Sequence, residues 1–307
     1  MKRYGETNWL FLITVCFVMI AGSVPFGAYI HNYGILLLLS QLIIALPSII
    51  YLYISRQKVS DVIGFKKLSF LNIVLLVLFS YCMSQVMTFI NALSRLVAKD
   101  VTLGTMSTVA DQNSFLISLF LIAVVPSVLE EGVYRGIFYQ EYRKVNPFKA
   151  ALLSAFLFGL MHGNLNQFSY AFCMGLVLAI VIEATDSILS TMIIHFIING
   201  SSVVLLYVLP KLVEDYDLLL EASYKTLSMD FETVVVSYGV RAVLFGIVGV
   251  FLLKQIAQNC NRLDHVKRLF QRNISKDRND KKDRLFTKPL FVAIAICIFS
   301  MIANEFL

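Results

Sequence analysis

Long apolar runs separated by short polar stretches dominate this chain. They are too long, and too uniformly apolar, to be half-buried strands or the one-sided helices of a soluble core. A helix needs about 20 predominantly apolar residues to cross a bilayer's hydrocarbon. Runs at 9–29, 34–54, 70–92, 115–139, 148–161, 170–184, 188–208, 234–256 and 290–306 approach or reach that length, which predicts roughly nine helices. The runs at 148–161 and 170–184 are short, as expected of helices that end in a protein-lined cavity rather than in lipid. No repeat of fixed period is evident. Ala21-Gly22-Ser23 resembles a cleavage site behind the basic head Lys2-Arg3, but the apolar run continues to Tyr29, so an uncleaved first span is expected.

Composition narrows the class. Of the 307 residues, 58% are hydrophobic and 15% charged, where soluble domains carry roughly a quarter charged residues. Too little polar surface remains to cover a water-soluble globule. Nucleic-acid binding, coiled-coil and disordered regulatory roles are therefore not expected, despite a net charge of +6. The predicted fold is an all-α polytopic membrane protein, a bundle of about 8–9 transmembrane helices around an intramembrane polar active-site cavity. It forms a single integral membrane domain over 1–307, multi-pass in the cell membrane, with the lipid bilayer as its surroundings. The five cysteines are scattered and contain no C-x-x-C pair, so they read as apolar packing residues rather than a disulfide framework or zinc cluster.

Lys and Arg mark cytoplasmic loops. Lys2 and Arg3, then Arg56, Lys58, Lys66 and Lys67, then Arg143, Lys144 and Lys149 are basic, whereas 211–232 is acidic. Segment 254–288 holds eleven Lys or Arg against four Asp. That is +7, so the rest of the chain sums to −1 and the basic balance resides in one loop. Nine spans with a cytoplasmic N-terminus place every basic cluster inside and the acidic loop outside. The 254–288 segment is read first as a solvated topology determinant; docking on anionic headgroups is weakened by its intermixed Asp residues.

Ionisable groups inside predicted helices stand out, because each costs on the order of 2.5–3.5 kcal/mol on insertion scales. Three groups occur: Glu130-Glu131-x-x-x-Arg135, His162 in Phe158-x-x-x-His162, and His195-x-x-x-Asn199. Measured from the turn near 142–147, Glu131 lies roughly 16 Å and His162 roughly 21 Å into the membrane, and His195 and Asn199 lie roughly 12 and 18 Å in from the same side. Packed together, these helices bring the groups into one layer. Glu131 and Arg135, four apart, share a face and can form an ion pair. Glu130 points about 100° away and is free to face a cavity. Pro126 lacks the amide that would bond the Ile122 carbonyl, which predicts a kink that admits water one turn before Glu130.

A carboxylate, two histidines and an asparagine around a wet pocket fit amide hydrolysis. Glu130 would take a proton from water, His195 and Asn199 would donate to the oxyanion, and His162 would orient the water or protonate the leaving amine. The competing arrangement is a divalent metal such as zinc held by Glu130, His162 and His195, three protein ligands plus water. Spacing leaves both open. There is no H-E-x-x-H helix and no G-x-S-x-G elbow.

These three motifs, in this order, resemble those of the CPBP intramembrane proteases, also called the Abi or type II CAAX prenyl endopeptidase family. The resemblance covers about 116–206, the core of the chain. It implies a helical bundle with Glu130 as the residue activating water, His162 as its partner, His195 and Asn199 on the oxyanion side, and Glu131 and Arg135 supporting. Both metal-dependent and metal-free mechanisms are associated with the family. The expected function is an intramembrane endopeptidase cleaving a membrane-associated peptide or protein. Two alternatives use the same residues: a noncatalytic immunity or regulatory binding protein, and a proton- or ion-coupled transporter. The transporter is disfavoured by the lack of paired repeats. Without a Cys four residues from Leu307, the chain is not expected to be prenylated itself.

Overall fold

A computed structural model describes residues 4–56, 64–212, 231–271 and 285–306. Every regular element among them is helical. In chain order they are α1 (Tyr4–Gly22), α2 (Tyr33–Ser55), α3 (Phe70–Ser94), α4 (Thr102–Gln112), α5 (Phe115–Tyr142), α6 (Pro147–Leu160), α7 (Leu165–Thr185), α8 (Ile188–Leu212), α9 (Phe231–Asn259), α10 (Leu263–Phe270) and α11 (Lys288–Phe306). Eight of these, all but α4, α6 and α10, are long and apolar enough to cross a membrane. Large apolar side chains such as Trp9, Ile20, Phe70, Leu116, Phe251 and Phe299 face outward, as a lipid-facing surface requires.

Side-chain bonds between distant residues separate the bundle's two faces. On one face Asn8 donates to the Leu285 carbonyl, Tyr142 donates to Asn8, and Ser187 donates to the Lys66 carbonyl. On the other Gln112 meets Tyr33 and His31, Asn166 meets Ser94, Tyr207 meets Asn113, and Asn304 meets Gly163. Between the faces the described helices make nine passes. Eight are full-length helices and one is α6, which at 14 residues rises only about 21 Å. The start of α1 and the end of α11 consequently lie at opposite faces.

One length expectation needs correction. The run at 148–161 is short, as expected, but the run at 170–184 belongs to α7, 21 residues long, because the polar turn Asn164-Leu165-Asn166-Gln167 continues the helix beyond its apolar part. Helix α4 was not expected at all. The acidic 213–230, Lys58 and most of the basic 254–288 segment, residues 272–284, lie outside the described residues.

Local chemistry sets the hairpin that carries the site. Asn146 and Asn164 cap α6 and α7 by accepting from the Lys149 and Gln167 amides, each satisfying an amide with no partner in its own helix. Pro147 occupies the first turn of α6, where no amide is needed. Gly163 turns the chain at φ +67°, a conformation that favours glycine. Helices α6 and α7 pack closely because Gly175 has no side chain; a Cβ there would come within 2.8 Å of Ala155. In α5 and α7, 56% of the most apolar window is buried, against 22% in α1, α2, α9 and α11. The two helices are therefore the bundle's centre.

Most basic residues of the described part lie at the first face, with Arg95, Lys99 and Arg241 toward the other. Arg143 and Arg262 bracket Glu183 and Asp186 at 3.3–3.7 Å, and Lys66 also pairs with Asp186. Tyr139 donates to Glu183 at 2.9 Å. This cluster ties together the ends of α5, α7 and α9 and the chain entering α3. Partial burial pushes the Asp186 carboxyl up, but the Lys66 hydrogen bond and the Arg262 and Arg143 charges outweigh it and hold the carboxyl below its ordinary range.

Candidate active site

Helix α5 is not a regular α-helix. Residues Phe120–Val124 and Gly132–Phe138 are π-helical, a widening often found at functional sites. Pro126 follows the first and has no amide to give the Ile122 carbonyl its i+4 bond. The Nδ2 of Asn199 in α8 donates to that carbonyl at 3.1 Å. One of its two N–H groups thus holds α8 against the proline-altered turn.

Between the two π segments, Glu130 and Glu131 project to different partners, as their one-residue offset predicts. Glu131 is completely buried and its Oε1 accepts from Arg135 at 3.0 Å and from His195 Nδ1 at 2.9 Å. A carboxylate can only accept, so His195 carries its Nδ1 proton and aims Nε2 away. Arg135, also fully buried, lies 4.4 Å over the Phe158 ring and beside Gly175, where a Cβ would stand 3.1 Å from its Nη2. The pair is thus enclosed by α5, α6, α7 and α8.

Glu130 faces the cavity. Its Oε2 lies 3.8 Å from His195 Nε2, too far for a direct hydrogen bond and close enough for one water to touch both. Its Oε1 accepts from Gln41 Nε2 of α2 at 2.8 Å. His162, in the turn that ends α6, meets the Phe158 carbonyl through Nδ1 at 2.9 Å. Since that oxygen only accepts, Nδ1 carries a proton and Nε2 is the ring nitrogen left free of it. The Phe158 ring stands edge-on to both His162 and His195, which orders Phe-x-x-x-His as a packing unit.

Glu130, His162, His195 and Asn199 all line one cavity of ≈ 400 Å³, together with Gln41, Tyr134, Gln167 and Tyr170. Helix α4 closes one side through Thr102, Thr105, Met106 and Val109. Glu131 and Arg135 sit behind it. The three sequence groups therefore meet in one place, although each lies on a different part of the bundle.

Residues 112–201 match the family model described as type II CAAX prenyl endopeptidase Rce1-like. The chain carries an Rce1-like domain. No curated protein and no solved structure matches the chain. The Rce1-like match spans α5 to the middle of α8 and contains every motif residue of the cavity, which supports a CAAX-protease-like intramembrane endopeptidase at the level of that family.

The metal arrangement of Glu130, His162 and His195 does not fit. No group of three or more His, Cys, Asp or Glu side chains among the described residues is placed to hold an ion. The second carboxylate of the site, Glu131, is occupied by Arg135 and by His195 Nδ1. Two contributions were not foreseen from sequence. Gln41 is a single amide in an apolar run outside the Rce1-like domain, with no spacing signal to single it out. The Glu131–His195 bond joins residues 64 apart and needs the fold to appear.

Proposed function

We propose that the protein hydrolyses a peptide bond in a membrane-associated peptide or protein, with Glu130 as the base that activates water. The observation that carries this reading is the convergence of Glu130, His162, His195 and Asn199 on one cavity inside membrane-spanning helices. Glu130 Oε2 takes a proton from water as the water oxygen adds to the scissile carbonyl carbon. His195, held by Glu131 in the manner of a carboxylate–histidine dyad, donates from Nε2 to the oxyanion when both ring nitrogens are protonated. The second N–H of Asn199 faces the same task. As the tetrahedral species collapses the C–N bond breaks, and the proton held by Glu130, relayed by His162 Nε2, goes to the departing nitrogen. Arg135 offsets the charge of Glu131 and so lets two carboxylates stand side by side, Glu131 buried and Glu130 at the cavity.

We also infer that the face gathering Lys66, Arg143 and Arg262 is cytoplasmic, because short cytoplasmic loops are enriched in Lys and Arg. That orientation puts the N-terminus inside. The test of function is a comparison of membrane peptidomes from cells with the wild-type protein and with Glu130→Ala. Fragments lost, and intact precursors gained, in the variant are expected. Identical peptidomes, with any protective or regulatory effect retained, would instead mark a noncatalytic binding protein.

A further inference from the structure

The family match begins at residue 112, yet the nearest polar partner of Glu130 comes from α2. Gln41 is buried and donates through Nε2 to Glu130 Oε1 at 2.8 Å. Its own Oε1 is buried and has no hydrogen-bond partner. The reverse placement of the amide would set its oxygen against a carboxylate oxygen, so the donor assignment follows from the pairing. Other groups facing Glu130 across the cavity are His195 from α8 and Tyr134 from the next turn of α5. Gln41 thus makes the two Glu130 oxygens unequal, Oε1 held and Oε2 left 3.8 Å from His195 Nε2.

Resting on the hydrolytic reading above, we propose that Gln41 is a positioning residue for the attacking water. It holds the carboxylate by one oxygen so that the other meets the water beside His195. Once Glu130 Oε2 has taken the water proton, Oε1 is the carbonyl oxygen of the new acid and goes on accepting from Gln41 Nε2. A single side chain then serves Glu130 before and after proton transfer, with no net proton gained or lost by Gln41. An isosteric apolar residue does neither, and an isosteric carboxylate cannot donate to Glu130 when both are ionised.

The experiment measures kcat and KM on a fluorogenic peptide that the wild-type protein cleaves, for Gln41→Met, Gln41→Glu and Glu130→Gln, with thermal unfolding in detergent alongside. A hydrogen bond to a charged group corresponds to a loss of roughly 10- to 100-fold. Both Gln41 variants are expected to lose that much in kcat with KM within about threefold, the signature of an interaction used in the transition state. Infrared difference spectra of wild type minus Glu130→Gln isolate the Glu130 carboxylate band, and that band is expected to shift in Gln41→Met. Wild-type kcat in folded Gln41→Met, or an unmoved band, would overturn the role of Gln41 and leave the hydrolytic reading standing. Wild-type cleavage by Glu130→Gln would overturn both. Should Gln41→Met fail to fold, Gln41→Glu keeps the shape of the side chain and decides alone.

Discussion

Glu131 and Arg135 show how a costly residue pair is retained. Each is fully buried, and Glu131 Oε2 and Arg135 Nε and Nη2 lack hydrogen-bond partners. A buried pair of this kind adds little stability over an apolar replacement, but removing one member leaves an uncompensated charge, at a cost of about 3–5 kcal/mol. Arg135→Ala is therefore expected to destabilise the fold by about that much, read as a fall in the thermal unfolding midpoint. A shift of less than about 1 kcal/mol would mean the site is wetter than its burial indicates. The i,i+4 spacing made this pair legible in the sequence. The link from Glu131 to His195 was not, because hydrogen bonds across 64 residues leave no local pattern.

Among elements, the hydrophobic runs located the long helices and failed where polarity changed within one. Helix α7 begins with the polar stretch Asn166-Gln167, and α4 carries Thr102, Thr105, Ser107 and Thr108. An apolar-run criterion shortens the first and overlooks the second, since polar residues of both line the cavity rather than lipid. The close packing of α6 on α7 can be tested at Gly175. Gly175→Val drives a branched side chain into Ala155 and toward Arg135, and is expected to cost roughly 1–3 kcal/mol or more. Gly132, with nothing within 4 Å of a Cβ, is the control: Gly132→Ala is expected to stabilise by up to about 1 kcal/mol, because alanine favours the helix. Equal unfolding midpoints for the two variants would contradict the packing described.

For the molecule as a whole, the charge pattern predicted one basic face, and the described residues gather Lys66, Arg143 and Arg262 around Glu183 and Asp186 there. The nine passes also match the number of runs, one of them made by the short α6. What remained illegible was the number of elements this face joins, since ion pairs between chain segments have no signature in composition. Because the folded Asp186 carboxyl is depressed, its contribution is complete above the unfolded value near 3.9 and is lost as pH falls through the folded one. Asp186→Asn keeps the left-handed backbone at φ 56°, which Asn tolerates. It is expected to lower the unfolding midpoint near neutral pH, with the difference from wild type shrinking below pH of about 4. A pH-independent difference would show that the charge is not what ties these segments.

The central claim is that Glu130 activates water in the intramembrane cavity. It is tested most directly by peptide cleavage with purified wild-type protein and Glu130→Gln, each shown folded by its unfolding midpoint. General-base catalysis contributes roughly 10²- to 10⁴-fold. A loss of that size in kcat, with the midpoint unchanged, is the expected result. Cleavage by Glu130→Gln at the wild-type rate would contradict the account.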